Sequence, residues 1–469
     1  MTLYDFLLAL SAAMFTVVAF LYVRHPAASL LHPATIYLGL HGVVFVIRPI
    51  FARIFDYQHI YTAYQFHPSI DDKVTVILGA NLGFLVFMGV CMAVAGQPYA
   101  NTRDRFDEMQ RNAMIKPVLL TMLLVAPICL WSIVDSWLTK STGSSTMIID
   151  AATGTPINTT DNGWFASADM ALAPLTVIFA WQFRFRLWSL VPFAVFFVLK
   201  AGTGGRGAMI VASLALVMLF LFEHRKRWPE WRSALLLVFA AIAFTLIVQD
   251  RGRSVRNIFI TNTGPVTTGA PAGDQPLESM DFANLEFFEY VVYAVPQRSG
   301  TYDYFLSNLQ IFTEPIPRKW WSNKPVGPPI KLFNLWDYGH PVGMTVSLPG
   351  AGWLELGWIG IIVQCGAFAA GYGWLYRRLM TRRQSNLYVL FYGMMVAATI
   401  VTYRDGTLLT VARQMPFYVG PIVLLWGLMR AYRIPSADTL SQAAGATARR
   451  APTRAKLMTM MRCGQSEAV

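Results

Sequence analysis

From Glu314 to Pro325 the chain reads Glu-Pro-Ile-Pro-Arg-Lys-Trp-Trp-Ser-Asn-Lys-Pro. Three prolines in twelve residues fix φ and bias their neighbours towards extended backbone, so the strip is expected to be stiff and non-helical. It carries Arg318 and Lys319 side by side and Lys324 a few residues on. The arginine offers a planar fork suited to phosphate, and the lysines are compact point charges. Trp320 and Trp321 between them, and Trp336 further on, suit either the apolar face of a sugar ring or a membrane interface. The ligand that meets all of these features is an anionic lipid bearing carbohydrate.

A second constellation also favours anions. Lys200-Ala-Gly-Thr-Gly-Gly-Arg-Gly207 separates two short apolar runs. Gly204 and Gly205 let backbone amides turn towards a ligand, the next helix opens with unpaired N–H groups, and Arg206 stands beside them. Arg298 and Arg404 add cations, the latter in the short link Tyr403-Arg-Asp-Gly406. Arg413 falls inside the following apolar run, where a charge is costly and is expected to face a ligand. Candidate proton acceptors are fewer. His340, in Tyr338-Gly-His-Pro341, carries an imidazole suited to proton transfer near neutrality. Glu355, in Gly352-Trp-Leu-Glu-Leu-Gly357, is expected in the first turn of an apolar helix, where the helix dipole favours a carboxylate. Asp303, Glu314, Asp337 and Asp405 are alternatives. No P-loop, dinucleotide fingerprint or nucleophile elbow is present, and no spacing points to a metal or cofactor. Cys91, Cys129, Cys365 and Cys463 lie in apolar runs or the tail and read as small buried hydrophobes.

The elements that must position these residues follow from composition. Only 14% of the 469 residues are charged and 55% are hydrophobic, far from a soluble chain and typical of a multi-span membrane protein. No early segment has the plan of a cleaved signal peptide. Apolar runs place eleven spans, near 3–23, 32–52, 74–95, 116–138, 165–182, 187–199, 207–222, 232–249, 352–375, 386–402 and 408–429. Lys and Arg collect in four short links: Arg103 to Lys116, Arg184 and Arg186, Arg225 to Arg232, and Arg377 to Arg383. Counting spans puts all four on one side, expected to be cytoplasmic, with the N-terminus outside. The chain then divides into a bundle (1–249), an extracytoplasmic insert (250–351), three further spans (352–430) and a basic cytoplasmic tail (431–469) expected to lack a fixed fold. Within the insert, Phe282, Leu285, Phe288 and Val292 recur at helical spacing with Glu286 and Glu289 between them. That pattern predicts an amphipathic helix over 281–295, lying on the membrane or capping a cavity.

Three stretches together resemble bacterial Wzy-type O-antigen and repeat-unit polymerases: the Gly-Gly-Arg-Gly207 turn, the Pro-Arg-Lys-Trp-Trp-Ser-Asn-Lys-Pro strip ending at Pro325, and Leu348-Pro-Gly-Ala-Gly-Trp-Leu-Glu-Leu-Gly-Trp-Ile-Gly360. The resemblance implies an all-α polytopic membrane glycosyltransferase of GT-C-like type in the bacterial inner membrane. Such an enzyme moves one undecaprenyl-pyrophosphate-linked oligosaccharide onto the sugar of another. It implies Arg206, Arg298, Arg318, Lys319, Lys324, Arg404 and Arg413 on phosphate, with Gly204 and Gly205, and Glu355 or His340 as base. Its partners would be the lipid-linked oligosaccharide, the bilayer, a chain-length regulator and a flippase; no nucleic acid and no cofactor are implied. The alternatives are an O-antigen ligase acting on lipid A core and a transporter or flippase of lipid-linked glycan.

Overall fold

The computed structural model describes residues 3–141, 147–149, 156–158, 163–203, 205–231, 277–278, 282–316, 320–325, 327–333, 335–338 and 344–450. Besides loops and turns these form helices and one short antiparallel ladder that pairs Met147–Ile149 with Pro156–Asn158. The main helices are α1 (Leu3–Arg24), α2 (Pro33–Phe55), α3 (Ile70–Ala95), α4 (Ile115–Ser141) and α5 (Leu172–Gln182). They continue with α6 (Leu187–Gly202), α7 (Gly207–Glu223), α8 (Asn284–Ala294), α9 (Ser347–Thr381), α10 (Asn386–Asp405), α11 (Leu408–Ala431) and α12 (Ala437–Arg450). Among the described residues, seven helices are long and apolar enough to cross a membrane: α1 to α4 and α9 to α11. The expected span at 232–249 lies outside the described residues.

Local chemistry sets the helix ends. Ser69 and Asp72 form a capping box at the start of α3, satisfying two backbone donors that the first turn leaves unpaired. Ser385 and Thr407 cap α10 and α11 by accepting from backbone N–H groups. Gly406 ends α10 at φ +79°, with Ser347 O only 2.1 Å from the place of a β-carbon, so no larger residue fits. α2 carries a π-helical segment, Gly42–Ile47, where Gly42 abuts the Phe15 ring. The α3–α9 pair packs through small residues: Gly79 and Gly83 lie against Ile361 and Cys365, and Gly373 against Val94.

The links gather at two ends. Arg103 and Arg111 both pair with Glu223, Arg184 pairs with Glu108, and Arg383 pairs with Asp104 and Asp438. The four basic links therefore share one end. At the other end Arg53 pairs with Asp5, Gln297 reaches Asp72, Tyr338 reaches the Arg298 carbonyl and Arg413 pairs with Glu314. Two expectations are corrected here. α8 is not amphipathic: every residue from Asn284 to Val292 is buried, and Leu285, Phe288, Val291 and Val292 belong to the bundle core. α8 is thus threaded into the bundle. In the tail, Ala437–Arg450 is helical, anchored by Asp438 on Arg383 and by Gln110 donating to Pro435 O; residues 451–469 lie outside the described residues.

Candidate functional site

Glu355 is not in a first turn. α9 starts at Ser347, and its helical geometry breaks at Leu356 (φ −160°, ψ 36°) and Gly357 (φ 60°, ψ −135°). Glu355 therefore closes a short leading segment, at the end where the helix dipole disfavours a carboxylate, and the dipole account fails. The break is built by glycines. Gly352 and Gly360 meet backbone to backbone, and the place of a β-carbon on Gly357 abuts the Tyr302 hydroxyl.

What holds Glu355 comes from the insert. Asp303 N–H donates to Leu354 O (3.0 Å) and Tyr304 N–H to Glu355 O (2.8 Å), so the 303–304 backbone caps the broken helix. Asn308 Nδ2 donates to Glu355 Oε1 at 3.4 Å, the Asp303 carboxyl accepts from Ser307 N–H at 2.7 Å, and the two carboxyl groups lie within electrostatic reach of each other. Both residues are buried, and Glu355 Oε2 has no partner. A buried oxygen left unsatisfied is costly, which marks this pair as a place where a polar group is missing.

Cations assemble nearby. Arg413 binds Glu314 through Nε (2.9 Å) and Nη2 (2.6 Å), and Lys324 Nζ donates to the carbonyls of Glu314 and Ile316 (3.1 Å each). Asp405 lies within electrostatic reach of both Arg404 and Arg413 and accepts from Thr410 Oγ1. Arg206 precedes Gly207, whose α-carbon faces Val401 one turn before Arg404. Arg404, Arg413 and Lys324 are thus linked through Asp405 and Glu314, and Arg206 adjoins Gly207, which faces Val401 on the same helix as Arg404. The leading segment of α9 joins them to the carboxyl pair: Ser347 abuts Gly406, and Glu355 lies eight residues on, about 12 Å along the axis.

The other expected residues fall out as follows. Gly205 N–H donates to Thr203 Oγ1, and Gly205 lies beside Lys200. Arg298 lies apart from the cation group, stacked on Tyr293, while the Tyr338 hydroxyl donates to its carbonyl. Trp320 and Trp321 are exposed, and Trp336 sits in a short 3₁₀ turn, Leu335–Tyr338. Gly204, Arg318, Lys319 and His340 lie outside the described residues. Among the described residues no group of three His, Cys, Asp or Glu is placed to hold a metal ion. Cys91, Cys129 and Cys365 are buried and unpaired.

Two buried ion pairs and one hydroxyl–carboxyl hydrogen bond were not foreseen. Lys200 forms a buried ion pair with Asp169; a lone cation and a lone anion at the edges of separate apolar runs were the available signal. Arg48 is buried and makes a two-pronged pair with Glu286, Nε to Oε2 at 2.9 Å and Nη2 to Oε1 at 2.8 Å. Glu289 accepts from the Tyr61 hydroxyl at 2.5 Å. Burial pushes the Glu289 carboxyl up to about 7; Lys73 opposes this and Glu286 reinforces it. The two glutamates were visible as the only charges in an otherwise apolar stretch.

No family profile, no curated protein and no solved structure matches this chain. The fold itself defines the class, a polytopic helical membrane protein.

Proposed function

We propose that this protein is a membrane glycosyltransferase that polymerises undecaprenyl-pyrophosphate-linked oligosaccharide repeat units on the outer face of the bacterial inner membrane. The observation that carries this reading is the buried Glu355–Asp303 carboxyl pair at a break in a long apolar helix, one short helical segment from a group of cations. In the reaction the acceptor sugar hydroxyl attacks the anomeric carbon of the donor. A new C–O bond forms as the bond to the lipid pyrophosphate breaks, and the hydroxyl proton passes to a carboxylate. Glu355 is the base, with Asp303 holding its orientation. Negative charge grows on the leaving pyrophosphate, and preset cations stabilise it; such stabilisation is usually the largest part of catalysis. Arg206, Arg404 and Lys324 take that role, with Arg413 shared with Glu314. The basic end is cytoplasmic in this reading, by the bias of Lys and Arg in short links. The eleven-span, GT-C-like plan belongs to the same proposal.

Purified protein in lipid, given undecaprenyl-pyrophosphate-linked repeat units, is expected to produce a glycan ladder. Glu355→Gln should lose it by on the order of a hundredfold or more, the usual contribution of a general base. Asp303→Asn and Arg404→Ala should shorten it. A ladder undiminished in Glu355→Gln rules out the assignment of the base. A monodisperse wild type that makes no ladder, yet transfers glycan to lipid A core, would make the protein a ligase instead.

A further inference from the structure

Around the cation group the chain exposes large apolar side chains where a loop facing water would bury or omit them. Phe312 is 76% exposed and Trp320 81%, and Ile316, Trp321, Ile330 and Leu332 are exposed as well. On a face turned to water, several large exposed apolar side chains in so short a stretch mark an interaction site. Its depth is fixed by the Arg413–Glu314 pair. Arg413 lies five residues after Leu408, the first residue of α11, so it stands about 8 Å along that helix. It also lies on an outward stripe: Arg413, Pro416, Val423, Gly427 and Arg430 are exposed at helical spacing on a helix apolar enough to span. Arg413 grips the Glu314 carboxylate with two nitrogens, and the helical turn Gln310–Thr313 just before Glu314 packs on α11. Phe312 and Ile316 flank Glu314 and therefore lie beside the lipid-facing stripe of α11, not above it.

From this the geometry points to a lipid-contact surface: Phe312, Ile316, Trp320 and Trp321 lie in the headgroup–acyl boundary of the bilayer, with Glu314 tied to α11 by its pair with Arg413. Tryptophan ring and N–H suit that boundary, with the ring in the apolar layer and the donor on headgroup oxygens. A neutralised Arg413 also removes the cost of an isolated guanidinium at that depth. This assignment takes Trp320 for the bilayer and leaves sugar stacking to other groups. It rests on the membrane span of α11 and not on the glycosyltransferase reading.

The test is photocrosslinking of the full chain in nanodiscs of phosphatidylethanolamine and phosphatidylglycerol with radiolabelled acyl chains. p-Benzoylphenylalanine is placed singly at positions 312 and 320. Position 426, exposed in the last third of α11, is the lipid-facing control, and position 108, exposed at the basic end, is the water-facing one. Positions 312 and 320 should label lipid as position 426 does, with little label at 108. Adding Glu314→Gln should reduce label at 320 and leave 426 unchanged. Label at 312 and 320 no higher than at 108, or a crosslinked protein dimer in place of a lipid adduct, overturns the proposal. Label at 320 that is indifferent to Glu314→Gln overturns the tether.

Discussion

Glu289 shows how strongly a single buried side chain responds to its surroundings. Its carboxyl titrates near 7 in the folded protein against about 4.3 in an unfolded chain, chiefly because burial disfavours the charged form. The folded state thus holds a proton that the unfolded state has released between those values. The stabilising effect of that proton is complete below about 4.3 and is lost as pH rises to about 7. Thermal unfolding at a series of pH values should show a fall on the order of 3 kcal/mol over that window, and Glu289→Gln should flatten it. Glu286, one turn away, has the opposite need. Its partner Arg48 is buried, so Glu286→Gln strands a guanidinium and should cost about 3–5 kcal/mol. Replacing both partners, as Arg48→Met with Glu286→Leu, should cost less than Glu286→Gln alone in the same unfolding assay.

Among the elements, α9 carries most of the site, and its two segments depend on glycine. A β-carbon on Gly360 would lie 1.9 Å from Gly352 O, which is backbone and cannot swing aside. Gly360→Ala should therefore cost about 3 kcal/mol or more, since overpacking forces the two segments apart. Gly371, about three turns beyond in the same helix, meets nothing within 4 Å, and Gly371→Ala should be neutral or gain up to about 1 kcal/mol. Melting temperatures of the two variants beside wild type decide this, and equal losses would mean that the break is not what Gly360 protects. Moving Glu355 out of register with Asp303 is the functional consequence expected of the damaging variant.

At the scale of the whole molecule, the sorting of links into two ends makes a topological prediction. The basic end, with Arg103, Glu223 and Arg383 in contact across distant parts of the sequence, is expected in the cytoplasm. Alkaline phosphatase fused after Gly300 should be active and fused after Arg383 inactive, with a cytoplasmic fluorescent reporter giving the reverse pattern. Activity at both positions would refute the shared-end arrangement in the cell. The α12 helix at the basic end adds a further contact, Asp438 to Arg383, through a tail whose composition promised none.

Sequence alone determined the parts of this protein that depend on transfer between water and lipid. Apolar length places a span, and Lys and Arg mark the links between spans. Ten of the eleven expected runs coincide with helices, and the basic links do lie together. The caps at Ser69, Thr407 and Gly406 also rest on local chemistry alone. What only the tertiary structure decided is pairing across long separations. Arg48 meets Glu286 across 238 residues, and Arg413 meets Glu314 across 99. Glu355 meets the 303–308 turn because a glycine break offers the end of its helix to that turn. Periodicity reports which face is apolar, but α8 is enclosed on all sides, so its two glutamates read as a wet face when they are the charges for which the core supplies Arg48 and Tyr61.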